Sequence, residues 1–354
     1  MPLPLTIKFD PVKFPAERLR AAAETVFNHH PALKTRFRRR DGEVRQFLDD
    51  AATIAVGMSE TDENSILAVL DKECCDFSRL EECLFHARLF VTEKANYLFF
   101  AANHVVIDGY SEVRMVHEIV RLTLNGEMPP EDPYREYLVR ESSEEGMALR
   151  RSDEKFFKDN YHDRGATFAL PFDLKSEDNP CEMVTRPFDP DTPFEKFAAS
   201  VVKSLARHTP EGGDILVCWT FHGRRGDVER NIVGCLYKDL PIPVSRRELA
   251  DDAVLEKTIR RRMNEGLLHA STSYVEPVGG DYWAHTPLML TDQRAFTLSG
   301  DGWKILLRDY GDYDFSLDAM GIEILGGEEP HLEGYYNSAL YRKETIEKFL
   351  EEIT

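Results

Sequence analysis

Tyr97-Leu98-Phe99-Phe100-Ala101-Ala102-Asn103-His104-Val105-Val106-Ile107-Asp108-Gly109 decides how this chain is read: an unbroken apolar run closes on two titratable residues and a glycine. The run 97–102 predicts a strand buried on both faces. A histidine at the end of such a strand can face a cavity instead of solvent, and a neutral imidazole there can take a proton near pH 7. If residues 104–107 stay extended, His104 and Asp108 share a face; if the chain turns at Ile107, Asp108 points back into the protein and Gly109 permits the bend. Either way the carboxylate serves better as an orienter held by a cation than as a second base. The plain alternative is a buried histidine bonded to backbone, with Asp108 capping the helix that follows.

Around this stretch the sequence lays out a mixed α/β order. Leu3, Leu5, Ile7 and Phe9 alternate as one face of a first strand, with Pro2 and Pro4 suited to a sheet edge. A helix is expected over 15–28, then a hairpin of 35–40 and 43–48 around Asp41-Gly42, a pair that accepts positive φ. A short helix over 65–73 precedes strands 84–92 and 97–107. Ser111 can cap a helix that Gly126 ends. A charged helical stretch runs to about His162, and Pro171, Pro180, Pro187, Pro190 and Pro193 then mark a linker or crossover. The order recurs with helices over 194–207, 253–268 and 343–353 and strands over 215–221, 288–290, 302–309 and 315–317. Two lobes follow from this, residues 1–165 and 194–354, joined by 166–193; 354 residues exceed one ordinary core.

The balance of 44 basic against 63 acidic residues, a formal charge of -19, argues against nucleic acid and against an anionic membrane surface as partners. An acidic partner would need a local basic patch, and Arg36 to Arg40 or Arg260-Arg261-Arg262 are the visible choices; the bland reading of each is a solvated hairpin and a solvated helix face. Cys74, Cys75, Cys83, Cys181, Cys218 and Cys235 form no CxxC pair and no zinc spacing, which suits reduced thiols and a cytoplasmic protein. His29-His30 reads as a helix end, and no metal site is expected. No segment has the length and apolarity to span a bilayer or the pattern of a secretory signal. Phosphate-binding glycine loops, GxSxG elbows and zinc-protease helices are absent.

Asn103-His104 to Asp108-Gly109 resembles the HHxxxDG motif of the condensation domains of nonribosomal peptide synthetases. Other segments resemble the same family in the same order: Phe27 to Phe37, Glu82 to Leu89, Gly223-Arg224, Val233-Gly234-Cys235-Leu236 to Leu240-Pro241-Ile242, and Gly334-Tyr335-Tyr336-Asn337 to Glu347. The resemblance implies an α/β fold of two chloramphenicol acetyltransferase-like lobes, a V-shaped pseudo-dimer with the active site in a tunnel between them. It implies that an acceptor amine attacks an acyl or peptidyl thioester carried on the phosphopantetheine arm of a carrier protein, giving an amide. His104 would be catalytic, with Asp108 and Gly109 structural and Trp219, His222, Thr291 and Asp292 lining the tunnel. No permanently bound cofactor is implied; the partners are acyl or peptidyl carrier domains and adjoining synthetase domains.

Two positions depart from the family pattern. Asn103 replaces the first, structural histidine, and Lys34 replaces the arginine that pairs with the motif aspartate; Lys34 and Arg36 share a strand face, so either could hold Asp108. The family also begins with a helix and loop, whereas this sequence opens in its first strand, so part of the tunnel is expected to be missing or rebuilt. The rival readings are a free-standing acyltransferase moving an acyl group from a carrier or coenzyme A to a small amine or alcohol, and an inactive member that recruits a partner. An epimerising relative would need a second acid/base group, a glutamate of the second lobe.

Overall fold

A computed structural model describes residues 2–70, 72–73, 77–161, 169–176, 178, 180–210, 213–273, 288–306 and 320–354. Its elements begin with β1 (Pro2–Phe9), α1 (Ala16–His29), β2 (Thr35–Arg40), β3 (Glu43–Leu48), β4 (Gly57–Glu60), α2 (Ile66–Leu70), β5 (Phe85–Val91), β6 (Asn96–Asn103), α3 (Gly109–Asn125), α4 (Tyr134–Ser142) and α5 (Glu144–Tyr161). They continue with β7 (Cys181–Pro187), α6 (Phe194–His208), β8 (Ile215–Phe221), β9 (Lys238–Val244), α7 (Asp252–Leu268), β10 (Leu288–Asp292), β11 (Ser299–Gly300), β12 (Trp303–Leu306), β13 (Met320–Leu325), β14 (His331–Asn337) and α8 (Lys343–Ile353). The expected strand 315–317 lies outside the described residues, as do 307–309, 166–168, His162 and the Cys74-Cys75 pair.

The chain divides into two compact units that are not two halves of the sequence. The first comprises Met1–Arg140, Arg224–Leu236 and Thr297–Arg308; the second comprises Glu141–Gly223, Tyr237–Phe296 and Asp309–Thr354. The contiguous lobes expected from the proline-rich span differ from this division for a definite reason. β12 pairs with β1 from Thr6↔Leu306 to Phe9↔Trp303, and Arg224–Leu236 bonds to α3, so both late segments belong with the early strands. Nor is 166–193 wholly a connector, because β7 inside it pairs along its length with β14 as a terminal strand of the second sheet, where prolines are tolerated.

The first unit is built on a sheet of order β11-β12-β1-β6-β5-β4, antiparallel except for β4 with β5. β6 is buried at every position, as its apolar run requires. Leu5, Ile7 and Phe9 of β1 join Leu98 and Phe100 of β6, Val26 and Phe27 of α1, and Met115, Val116 and Ile119 of α3 in one core. β1 is an interior strand and not the expected edge; Pro2 and Pro4 fall in its first half, whose pairing among the described residues is with β6. β2 and β3 form a separate two-stranded ribbon. Its turn has φ 53° at Asp41 and φ 85° at Gly42, the conformation that Asp-Gly admits at little steric cost.

The second unit carries the sheet β7-β14-β13-β10-β8-β9, with β10 parallel to both neighbours. Phe197, Val201 and Leu205 of α6 and Ile346, Phe349 and Leu350 of α8 pack with Ile215, Val217, Leu290, Ile322 and Ile324 of the strands. A smaller cluster sets Phe157 and Tyr161 of α5 against Leu216, Cys218 and Leu240.

Candidate active site

β6 ends at Asn103 because that side chain builds a turn. Its Oδ1 accepts the N–H of Val105 at 3.0 Å, its Nδ2 donates to Phe77 O at 3.3 Å, and its backbone carbonyl accepts from Val106 at 2.9 Å. The chain therefore does not stay extended through Ile107, and His104 sits in the turn itself. His104 Nδ1 lies 2.9 Å from Ile107 O. A carbonyl only accepts, so Nδ1 carries the hydrogen and Nε2 is the basic nitrogen of the neutral ring. Burial holds this imidazole below its ordinary pKa against the opposing pull of the backbone carbonyls and Asp108, so it is neutral at pH 7. Cys235 Sγ lies 3.9 Å from Nδ1.

Asp108 turns inward and does two things at once. Its Oδ1 accepts from the N–H of Ser111 at 3.0 Å, which makes Asp108, and not Ser111, the N-cap of α3; Gly126, with φ 71°, closes that helix as expected. Its Oδ2 accepts from Arg224 Nη1 at 2.6 Å and from Leu236 N at 2.9 Å. Ser111 Oγ donates to Asp108 Oδ1 at 2.8 Å and accepts from Gly234 N at 3.0 Å and Arg224 Nη2 at 2.9 Å. Arg224 Nη2 also reaches Gly234 O at 3.0 Å, and the Tyr110 ring lies 4.5 Å from the guanidinium. Asp108 is 3% exposed and Arg224 2%. Burial alone would raise the Asp108 pKa; the Arg224 charge and the bonds from Leu236 and Ser111 outweigh it and keep the carboxyl below the usual range.

The cation on Asp108 is thus Arg224, which corrects the expectation of Lys34 or Arg36. Lys34 closes a single 3-10 turn, Pro31–Lys34, and Arg36 at the base of the ribbon donates to Thr35 O at 3.0 Å; Asp108, facing the Arg224–Leu236 segment after its turn, meets neither. The sequence places Gly223-Arg224 near the cavity without giving Arg224 a role, since no local spacing links positions 108 and 224. Glu112, one helical turn after Asp108, carries no sequence signal of its own either. Burial, and secondarily Asp108, push its carboxyl up to about 8, so it is a neutral acid at pH 7.

The remaining expected site residues belong to the second unit. Trp219 packs against Phe194 and Phe221, with ring centroids at 6.0 and 5.7 Å. The His222 ring is 4.7 Å from Phe221. Asp292 is gripped by Arg294 at 2.6 Å. Thr291 lies in a polar row that crosses the whole sheet in register: Asp239, Thr220, Thr291, Glu323, Glu333 and Thr185 on β9, β8, β10, β13, β14 and β7. Burial, and secondarily Glu333, push the Glu323 carboxyl up to about 8, while Gln293 donates to it at 2.7 Å. Among the described residues no group of three or more His, Cys, Asp or Glu could hold a metal ion, and no helix is long and apolar enough to cross a membrane.

The family model described as "Condensation domain" matches residues 4–276. The chain belongs to the condensation-domain family. Members are in general acyltransferases, and they work with carrier-protein domains within synthetases. Bacitracin synthase 1 of Bacillus licheniformis is 22% identical over 386 residues; the match spans 100% of this chain but 7% of that protein, so the chain is less than a tenth of its length. Two solved structures share the fold. The X-domain from teicoplanin biosynthesis aligns with a TM-score of 0.77 at 16% identity, covering 99% of this chain and 88% of that one. The starter condensation domain of rhizomide synthetase, in complex with C8-CoA and Leu-SNAC, aligns with a TM-score of 0.76 at 17% identity, covering 99% and 87%. The two-lobed, mixed α/β expectation holds at the level of fold.

Proposed function

We propose that this chain is an amide-forming condensation domain in which His104 serves as base toward the acceptor amine. The observation that carries the reading is the turn after β6: Nδ1 is committed to Ile107 O, and burial keeps the ring neutral, so Nε2 can take a proton at pH 7. The amine nitrogen attacks the thioester carbonyl as His104 Nε2 takes its proton. The tetrahedral intermediate then expels the phosphopantetheine thiolate, which recovers a proton to leave as thiol. Asp108 stays ionised on Arg224 and holds the turn, and the first N–H groups of α3, beginning at Gly109, offer donors to the oxyanion. Trp219, His222, Thr291 and Asp292 are assigned to the substrate passage.

The donor is assigned to a carrier protein docking on the β2–β3 ribbon. Arg38 stands directly opposite Arg45 across that pair, a like-charge arrangement that an acidic partner would relieve. The second basic cluster is a poorer choice because Arg260 is bound to Glu195 at 2.8 Å and Arg262 to Glu265 at 3.0 Å, whereas on the ribbon Arg45 is bound to Glu43 at 3.2 Å but Arg38 and Arg39 meet no carboxylate among the described residues. One observation keeps a soluble donor in play: the rhizomide relative is recorded with C8-CoA. The test is to supply octanoyl groups on a carrier protein and on coenzyme A with a panel of amino acids and alcohols, reading products by mass spectrometry. His104→Ala should cost about 10² to 10⁴ in rate with folding little changed. Near-normal turnover by that variant would remove His104 from the chemistry, and transfer only to alcohols or only from coenzyme A would favour the free-standing acyltransferase. No transfer from either donor by the intact chain would favour a recruiting role.

A further inference from the structure

Behind the His104 turn, the first unit buries a second imidazole between two carboxylates. His30 Nδ1 lies 2.6 Å from Asp132 Oδ2, and Nε2 lies 2.7 Å from Glu118 Oε2. All three side chains are closed to solvent. A neutral imidazole has one N–H, and two carboxylate acceptors at these distances call for two, so the ring is the imidazolium. Asp132 Oδ2 also accepts from Val233 N at 3.3 Å. Glu118 Oε1 is 2.8 Å from Arg114 Nη2, and Arg114 Nη1 donates to Arg230 O at 2.8 Å. Both carboxylates that hold the cation are therefore tied to the Arg224–Leu236 segment. The three residues after Val233 are Gly234, which bonds Ser111; Cys235, which lies against His104; and Leu236, which bonds Asp108.

We propose that His30 is a positioning residue for the His104 site: its charged ring anchors Val233 through Asp132 and thereby fixes Gly234–Leu236 against Ser111, His104 and Asp108. The proposal rests on reading the His104 turn as the functional site. The charged and titratable groups that face His30 are Glu118, with Arg114 behind it, from α3; Asp132 from the stretch before α4; and His29 from its own helix, whose ring stands edge-on at 5.1 Å and whose Nε2 lies 2.8 Å from Pro130 O. Burial opposes the charged ring, and the bonds and charges of Asp132 and Glu118 overcome it, so the folded pKa lies above the ordinary imidazole value. The anchoring is therefore complete below that ordinary value and is lost as pH rises through the raised one.

The test uses the intact chain and needs no substrate, so a failure of the acyl-transfer reading would leave it standing. Amide hydrogen exchange and imidazole ¹⁵N NMR are compared for the parent chain, His30→Gln and Asp132→Asn. In His30→Gln the Val233 and Leu236 amides should exchange about ten-fold faster or more, while Leu98 and Phe100 of β6 keep their protection. The ¹⁵N signals of His104 should move away from the pure Nδ1–H tautomer. Raising the pH through the His30 titration should reproduce both changes in the parent chain and neither in the variant. Acceleration of β6 and of 233–236 together, or an unmoved His104 spectrum, would overturn the proposal and leave His30 a general core contact. If His30→Gln does not fold, Asp132→Asn, which keeps an acceptor for Val233 and drops one charge, takes its place: faster exchange confined to 233–236 with a shifted His104 spectrum supports the anchoring, and the opposite pair of results overturns it.

Discussion

Asp108 and Arg224 should behave as one energetic unit, and their interaction can be weighed from the geometry. The pair is buried at both ends, 2.6 Å apart, and the carboxylate takes three further hydrogen bonds, from Ser111 N, Ser111 Oγ and Leu236 N. Removing one member leaves the other as an uncompensated buried charge, which costs about 3 to 5 kcal/mol. Losing the N-cap of α3 adds about 1 kcal/mol. At roughly 2 to 4 °C per kcal/mol for a body of this size, Asp108→Ala should lower the Tm by on the order of 10 °C. Asp108→Asn separates the two parts, because it keeps a capping oxygen and loses only the charge. Arg224→Met should cost a similar amount, and Asp108→Asn with Arg224→Met should cost clearly less than the sum, since no lone charge remains; a coupling of about 2 kcal/mol is expected. The assay is thermal and urea denaturation of the parent and the four variants at pH 7. The sign with pH also follows: the folded pKa of Asp108 is depressed, so its contribution is present above the unfolded value, about 3.9, and is lost as pH falls through the folded one. Single variants losing under about 1 kcal/mol, or strictly additive losses, would refute the reasoning that this contact is a buried, mutually dependent pair.

His104 titrates below its ordinary value, so the acid limb of the rate profile should fall below about 6.5; an inflection above that value would mean another group is the base. Glu323 holds a proton up to about 8 in the folded protein, so stability should fall between the unfolded carboxyl value and pH 8; Glu323→Gln should lessen that slope, Glu112 supplying a like share, and equal pH 5 to pH 8 differences for the two proteins by urea titration would contradict it. Arg38→Glu with Arg39→Glu should slow transfer from a carrier-bound donor, most strongly at low salt, and spare coenzyme A donors; equal loss with both donors would return the ribbon to plain solvated surface.

Much of the fold was legible because its signals are local. The apolar run of β6, the Asp-Gly turn at 41–42, the Gly126 stop and the bounds of β8 and α8 all follow from side-chain period and turn chemistry within a few residues. The turn that carries His104 and Asp108 is local in the same way. What the sequence hid is long-range: that Arg224 grips Asp108, that β1 is interior because β12 returns to it, and that His30 is a buried cation instead of a mere helix end. Each depends on which distant segment arrives, and no spacing along the chain encodes that. The Lys34 or Arg36 expectation failed on this point: it rests on the family's arginine at position 34, and neither side chain stands beside the carboxylate.

The lateness of Arg224 in the chain has a consequence for synthesis. Asp108 emerges from the ribosome with its sheet neighbours β1, β5 and β6 already made, but its counter-charge is 116 residues away. Domains fold as they emerge, N-terminal parts first, and contacts of high sequence separation form slowly. Until residues 224–236 are released, the nascent first unit holds a carboxylate without its counter-charge, and the bonds from Arg224, Gly234 and Leu236 to Asp108 and Ser111 are unmade. The centre is thus completed only when residues 224–236 arrive, and a nascent fragment stopped before residue 224 would carry the motif without the means to shape it.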